Sequence, residues 1–108
     1  MELSFKEKEG NLRVCFHGEL DHHVAGGLGN KIDFEILVRA PKKVVLDYED
    51  MTFMDSSGLA VIMGRYQTCN RLSIPISIEH LAPSIKKILL MTGIQKYVEI
   101  REEDYETV

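Results

Sequence analysis

The stretch Phe53-Met54-Asp55-Ser56-Ser57-Gly58-Leu59 joins an apolar strand pattern to a helix pattern that begins at once. The first N–H groups of a helix lack backbone acceptors, and the helix dipole places partial positive charge there. A phosphate on Ser56 would be stabilised at this point, yet it would change what the surface can bind. We therefore predict that Ser56 is a phosphorylation site. Ordinary N-capping by Asp55 or Ser56 would also explain these two residue types.

The patterns on either side of this stretch predict a buried strand and an amphipathic helix. Residues 44–46 (Val-Val-Leu) form an apolar run typical of a strand covered on both faces, and Glu49-Asp50 is predicted as a loop. The helix is expected over residues 57–70, with a buried stripe formed by Leu59, Ile62, Met63 and Tyr66. Gly58 lies in its first turn, where a glycine lets another molecule approach the backbone closely.

The N-terminal half predicts a hairpin and then a helix. Residues 2–7 and 11–17 alternate in polarity, and Gly18-Glu19-Leu20-Asp21 interrupts the alternation. Asp21 is the predicted N-cap of a helix running to about residue 39. The inner side of this helix is predicted to carry Val24, Leu28, Ile32 and Ile36. Three glycines at 26, 27 and 29 each cost about 1 kcal/mol relative to Ala, so its first half is expected to be irregular.

The C-terminal half adds two strands and a helix. Residues 74–78 alternate as a strand in which Pro75 marks the start or an edge, and a helix is expected from Pro83 to Gly93. Residues 97–100 offer a last strand, followed by an acidic tail over 102–106 that is expected to be frayed or weakly helical. The order ββαβαβαβ predicts an α/β fold: one domain over residues 1–108, with a mixed sheet of four to five strands and helices packed on it.

Composition narrows the function classes. The chain has 108 residues, which suits one domain, and its formal net charge is −4. This balance does not favour nucleic-acid binding, which needs a basic stripe. Cys15 and Cys69 are far apart and in no metal-ligand spacing, which indicates free thiols in a reducing compartment. The start is charged, unlike a signal peptide, and the apolar runs are shorter than a bilayer span. We expect a cytoplasmic protein without membrane contact.

Three chemical alternatives fit the residues poorly. A serine hydrolase elbow needs G-x-S-x-G, whereas Met54 and Asp55 stand two residues before the two serines. His22-His23 is a weak metal site, because adjacent residues seldom ligate one ion and no Cys or His completes the set. The glycines at 26–29 match neither phosphate-loop motif. We therefore predict no catalytic residues, no metal site and no cofactor.

Three segments together carry a family resemblance. Gly18-Glu19-Leu20-Asp21-His22-His23, the stretch from Leu46 through Leu59 with its Phe-Met-Asp-Ser-Ser-Gly core, and Met63-Gly64-Arg65-Tyr66 closely resemble anti-sigma factor antagonists of the STAS domain family. The resemblance runs in register over about residues 2–100, and it is the pairing of the first segment with the second that makes it specific.

The resemblance implies a partner-switching cycle. The unphosphorylated protein would bind an anti-sigma factor that is also a serine kinase, and so free a sigma factor. The kinase would use ATP to phosphorylate Ser56, the serine directly after the Asp, and a serine phosphatase would reset it. It also implies that Glu19 and Asp21 belong to the kinase-binding surface.

The complete predicted partner-binding set is Glu19, Asp21, His22, Asp55, Ser57 and Gly58. We expect the protein to act as a monomer, with ATP used only by the partner. The alternative within the family is a phosphorylation-switched STAS module of another signalling complex, such as a stress-response scaffold.

Overall fold

The computed structural model describes residues 1–102, and its elements follow the predicted order. The strands and helices are β1 (Glu2–Lys8), β2 (Asn11–Leu20), α1 (Ala25–Arg39), β3 (Lys43–Met54), α2 (Ser57–Arg71), β4 (Ile76–Glu79), α3 (Pro83–Thr92) and β5 (Glu99–Arg101), with a 3₁₀ turn (Ile94–Lys96) before β5. The predicted acidic tail, from residue 103 onward, lies outside the described residues.

The five strands form one mixed sheet in the order β1-β2-β3-β4-β5. β1 is antiparallel to β2, and every later neighbour is parallel, so each later strand is reached by a helical crossover. Such crossovers are right-handed as a rule, and successive crossovers in one direction place their helices on the same face of the sheet. All three helices do bury side chains in a single core. The α/β class and the mixed sheet are therefore as predicted.

Alternation along β2 was predicted correctly on its inner face. Leu12, Val14 and Phe16 are fully buried, and the ring of Phe16 packs edge-to-face on Tyr48 of β3 with centroids 5.0 Å apart. β3 is buried on both faces over residues 44–48, as the apolar run indicated. The carboxyl ends of β2 and β3 are therefore supported by a closely packed core.

Two boundaries in the sheet were predicted wrongly. The segment from Gly18 to Leu20 continues β2, and Glu49-Asp50 lies within β3 and not in a loop. Both strands remain paired across a β-bulge. Cys15 pairs with Asp47 and the next pair is His17 with Asp50, so β3 has one more residue than β2 between the two pairs. An extra residue on β3 at this bulge breaks the two-residue alternation that marks a strand in the sequence.

Helix α1 begins later than predicted and is more regular. It starts at Ala25, with Val24 as N-cap, because the Asp21 carbonyl and carboxylate instead close the preceding turn. Its three glycines are all helical, contrary to the expected irregular first half. Gly29 is buried, and a Cβ there would overlap the guanidinium of Arg65. The predicted inner positions Leu28, Ile32 and Ile36 are buried.

Helix α2 is rotated relative to its predicted stripe. Ile62 is fully buried as expected, but Val61 and Arg65 are buried where Leu59, Met63 and Tyr66 are only partly so. Arg65 can be buried because its Nε lies 2.9 Å from Asp33 on α1.

The C-terminal elements depart little from the prediction. β4 begins at Ile76, directly after Pro75, and α3 ends before Gly93, which adopts a left-handed conformation. The last strand covers residues 99–101 and not 97–100. Both cysteines are buried free thiols. Within residues 1–102, no helix is long and apolar enough to cross a bilayer.

Candidate phosphorylation and docking site

The ends of β2 and β3 lie side by side and bring together the two polar segments that the sequence separates. Glu19 pairs with Phe53 and Leu20 with Met54, and the Asp55 N–H donates to the Leu20 carbonyl at 3.1 Å. Because both strands run in parallel, their carboxyl ends reach the same edge of the sheet, where ligands of open α/β sheets bind. The two segments that carry the predicted docking residues therefore lie at the same edge of the sheet.

Asp55 is the hydrogen-bonding centre of this surface. Its Oδ1 accepts from the Ser57 N–H at 2.8 Å and from the Ser57 hydroxyl, and its Oδ2 accepts from the His22 N–H at 3.1 Å. The His22 imidazole Nδ1 lies 3.7 Å from the same Oδ2. The hydrogen bond from the Ser57 hydroxyl, followed by that from its N–H, lowers the pKa of Asp55, and His22 adds to the effect. Asp55 thus ties the start of α2 to the turn after β2.

The side chains of Ser56 and Ser57 differ in exposure and in hydrogen bonding. It is exposed, occupies the N-cap position of α2 in a helical conformation, and makes no side-chain capping hydrogen bond. Asp55 accepts from the first N–H of the helix, so the capping alternative is confirmed for Asp55 and wrong for Ser56. Ser57, in contrast, has its hydroxyl committed to Asp55. Of the two serines, Ser56 is the one whose hydroxyl can be modified without breaking a local bond.

The other polar residues around the predicted docking surface differ in their exposure and contacts. Glu19 is exposed and its carboxylate faces solvent beside Phe53. The Asp21 carboxylate accepts from the His23 N–H at 2.9 Å, which shapes the turn into α1. His22 and His23 are exposed, and their rings are in contact with centroids 4.0 Å apart and planes tilted by 38°. Among residues 1–102, the geometry groups no three metal-ligating side chains around Ser56.

Gly58 has a packing role that the sequence did not indicate. It is buried in the first turn of α2, and a Cβ there would overlap Cγ and Sδ of Met54. Met54 is itself 7% exposed, at the end of β3. The absence of a side chain at Gly58 is therefore required for β3 and α2 to pack closely, whatever it does for a partner.

Two features of the surface were missed from sequence. Phe53, whose exposure the sequence did not predict, is 49% exposed next to Glu19. A groove of about 200 Å³ also opens between the first turns of α1 and α2, lined by Gly26, Ser57 and their neighbours. Glycines inside a helix pattern are the signal that could have indicated this groove, since a Cβ on Gly26 would meet nothing within 4 Å. The fold itself does not require Gly26.

Comparison with known proteins agrees with this architecture. The STAS domain model matches residues 2–106. The "Anti-sigma F factor antagonist" of Paenibacillus polymyxa is 32% identical over 104 residues, which cover 96% of this chain and 89% of that protein. The solved structure of the anti-sigma factor antagonist SpoIIAA in its unphosphorylated form superposes with a TM-score of 0.80, at 21% identity, over 98% of this chain and 91% of that one. The phosphorylated form of the Bacillus cell fate determinant SpoIIAA gives 0.73 at 21% identity, over 98% and 95% of the two chains. This chain therefore belongs to the STAS domain family.

Proposed function

We propose that this protein is an anti-sigma factor antagonist that is switched off by phosphorylation of Ser56. The observation that carries the proposal is the contrast between the two serines: the Ser56 side chain is exposed and uncommitted at the helix start, while Ser57 is held by Asp55. The similarity to the Paenibacillus polymyxa antagonist over nearly the whole chain supports the class of partner.

The partner in this proposal is an anti-sigma factor with serine kinase activity. In the unphosphorylated state the antagonist would bind this kinase and free the sigma factor. The kinase would transfer a phosphoryl group from ATP to Ser56, and a serine phosphatase would remove it. The antagonist itself would supply no catalytic residue and no cofactor.

The docking surface would comprise the residues that β2 and β3 deliver together. Glu19 offers an exposed carboxylate for a basic group of the kinase, and complementary charge fixes orientation and speeds association. Asp21, His22 and Asp55 would add polar contacts around Ser56, with Ser57 and Gly58 holding the turn beneath them. This arrangement explains why modification of one side chain could affect the whole surface.

Electrostatics account for release without refolding. Phosphoserine adds about −1.5 to −2 charge at pH 7. A serine kinase holds nucleotide phosphate opposite the serine that it modifies, so the docked phosphoserine would face another anion. Two unit charges about 6 Å apart at an effective dielectric of about 20 repel by roughly 2–3 kcal/mol. After allowance for solvent screening, this corresponds to roughly a ten- to hundredfold loss of affinity. The N-terminus of α2 would meanwhile stabilise the phosphate within the free protein.

Site mapping tests the proposal. Wild type, Ser56→Ala and the matched control Ser57→Ala are incubated with the cognate kinase and ATP and analysed by peptide mass spectrometry. We expect phosphate on Ser56 in wild type and Ser57→Ala, and none in Ser56→Ala. Modification confined to Ser57 or Ser4 would overturn the assignment. In a pull-down, Ser56→Ala is expected to stay bound to the kinase with ATP present, and Ser56→Asp to be released in part.

Two alternatives have their own tests. If the protein were a STAS module of another complex, such as a stress-response scaffold, Ser56 would be phosphorylated in the same way. The genes beside this one would then encode different partners.

A serine hydrolase would need an activated hydroxyl. Ser4 Oγ lies 2.8 Å from His17 Nε2, whose Nδ1 lies 3.0 Å from Asp50, so this alternative has a concrete candidate outside the docking surface. We expect fluorophosphonate probes to leave the native protein unlabelled, and labelling of Ser4 would revive that alternative.

A further inference from the structure

The groove between the first turns of α1 and α2 adjoins the predicted docking surface. It has a volume of about 200 Å³, and Ser57, whose hydroxyl is bonded to Asp55, forms part of its wall. On the side of α1 the wall includes Gly26 and Gly29, which have no side chains. The groove therefore lies at the same end of the molecule as Ser56, and we call it the α1–α2 groove.

Arg65 of α2 also lines this groove, and part of its guanidinium group is uncommitted. The residue is 9% exposed, and Asp33 on α1 pairs with one edge of the guanidinium: Nη2 donates to Oδ2 at 3.3 Å, and Nε lies 2.9 Å from Oδ1. Nη1 lies closest to the Cα of Gly29 and makes no hydrogen bond within residues 1–102. Because the N–H groups of a buried guanidinium normally have acceptors, this part of Arg65 points to a ligand that accepts hydrogen bonds.

The charge and size of the groove indicate what kind of acceptor it takes. Within the described part of the chain, no carboxylate lines the groove, and Arg65 is its one charged lining residue. The groove is thus locally positive in a chain whose net charge is −4. A guanidinium forms its strongest hydrogen bonds with carboxylates and phosphates. A volume of about 200 Å³ is smaller than the pockets that hold whole small molecules, so a single carboxylate side chain fits better than a nucleotide.

The two glycines in the wall lack side chains for different reasons. Gly29 is buried, and a Cβ there would overlap the Arg65 guanidinium, so the fold requires this glycine. Gly26 is exposed, and a Cβ there would meet nothing within 4 Å, although glycine inside a helix is less favourable than alanine. Contacts within the described residues therefore do not account for Gly26, whereas a side chain seated in the groove does.

We propose that the α1–α2 groove receives an Asp or Glu side chain of the anti-sigma kinase, whose carboxylate accepts from Arg65 Nη1. This inference rests on the proposed function, since the occupant belongs to the same partner. Glu19 on the docking surface would meet a basic group of the kinase and Arg65 an acidic one. Two contacts of opposite sign fix the orientation of a complex more tightly than one. Gly26 is then a specificity-determining position, because its missing side chain keeps the groove open.

Two glycine variants on the same helix test whether the kinase occupies the groove. Calorimetry gives the dissociation constant for the kinase of wild type, Gly26→Leu and Gly27→Leu, with ADP in place of ATP so that Ser56 stays unmodified. Both glycines are exposed and unhindered, but only Gly26 lines the groove, and leucine is a good helix former. We expect Gly26→Leu to bind at least roughly tenfold more weakly, as when a central interface contact is lost, and Gly27→Leu to stay within about twofold of wild type.

The chemistry of the occupant is tested by carbodiimide, which couples a lysine amine to a carboxylate in contact with it. Ala60 is exposed and lines the groove, whereas Gln67 is exposed on the same helix and does not line it. In the complex, Ala60→Lys is expected to give a cross-link to an Asp or Glu of the kinase, located by peptide mass spectrometry, and Gln67→Lys to give none. Arg65→Lys keeps the positive charge beside Asp33 but loses the forked donors, and should bind roughly tenfold more weakly than wild type. Circular dichroism establishes that each variant is folded, and the glycine pair decides if Arg65→Lys is not.

Several results would overturn this proposal and leave the Ser56 switch intact. They are wild-type affinity in Gly26→Leu or in folded Arg65→Lys, an equal loss of affinity in Gly26→Leu and Gly27→Leu, and no cross-link from Ala60→Lys to the kinase. Saturable binding of ATP alone to wild type, abolished by Gly26→Leu, would assign the groove to a nucleotide and also overturn it. Failure of the proposed function is distinguished by the wild-type titration, because wild type itself would then not bind the kinase.

Discussion

Replacement of Gly58 by Ala separates two roles for this residue, close packing in the fold and close approach by a partner. In a free helix the change would stabilise by up to about 1 kcal/mol, because Gly is the poorer helix former. Here the new methyl group would overlap Cγ and Sδ of Met54, which is 7% exposed and belongs to the core. Overpacking of this kind costs about 1–3 kcal/mol. We therefore expect Gly58→Ala to leave the free energy of unfolding unchanged or to lower it by up to about 2 kcal/mol.

Gly64 provides the matched control on the same helix. It lies within α2, and a Cβ there would meet nothing within 4 Å. Gly64→Ala should therefore raise the free energy of unfolding by about 0.8–1 kcal/mol. Urea unfolding followed by circular dichroism measures both variants against wild type. If Gly58→Ala were as stabilising as Gly64→Ala, the packing argument would be wrong and the role of Gly58 would have to be sought in the partner interface.

Two further predictions concern titratable groups. Hydrogen bonds from Ser57 lower the pKa of Asp55, so Asp55 stabilises the fold above the ordinary carboxyl pKa and loses this contribution as pH falls through its own lower value. Ser57→Ala removes the hydroxyl hydrogen bond and keeps the one from the backbone N–H, so it should raise the Asp55 pKa in an NMR titration. An unchanged value would refute the hydrogen bond assigned to the Ser57 hydroxyl. Burial raises the pKa of the Cys69 thiol to about 11, and Cys15 is also buried. At pH 8 we expect Ellman's reagent to modify both thiols only after unfolding, and rapid reaction of the native protein would contradict this.

The order of elements could be predicted because it rests on local periodicity. Alternation marked β2, the apolar run marked β3, and Pro83 with Gly93 bounded α3 to within a residue. The length of β3 could not be predicted in this way. Its bulge places Glu49 and Asp50 on consecutive exposed positions, which looks like a loop in the sequence although the strand continues.

In the candidate site, too, local sequence patterns predicted some features, while others depend on the pairing of strands. Ser56 was predicted from a short contiguous pattern, and the structure places it exposed at the start of α2, as that pattern required. The bond from the His22 N–H to Asp55 depends on the pairing of β2 with β3, as does the exposure of Phe53. The assignment of the α1 N-cap to Asp21 failed because its carboxylate closes a turn, a choice that residue type alone does not decide.

The dissociation constant of the complex with the proposed partner, an anti-sigma factor with serine kinase activity, tests the proposed switch most directly when it is measured by calorimetry. Unmodified protein is compared with protein phosphorylated stoichiometrically on Ser56, at equal nucleotide concentration and ionic strength. We expect a dissociation constant larger by roughly ten- to a hundredfold for the phosphorylated form. Equal dissociation constants for the two forms would contradict it.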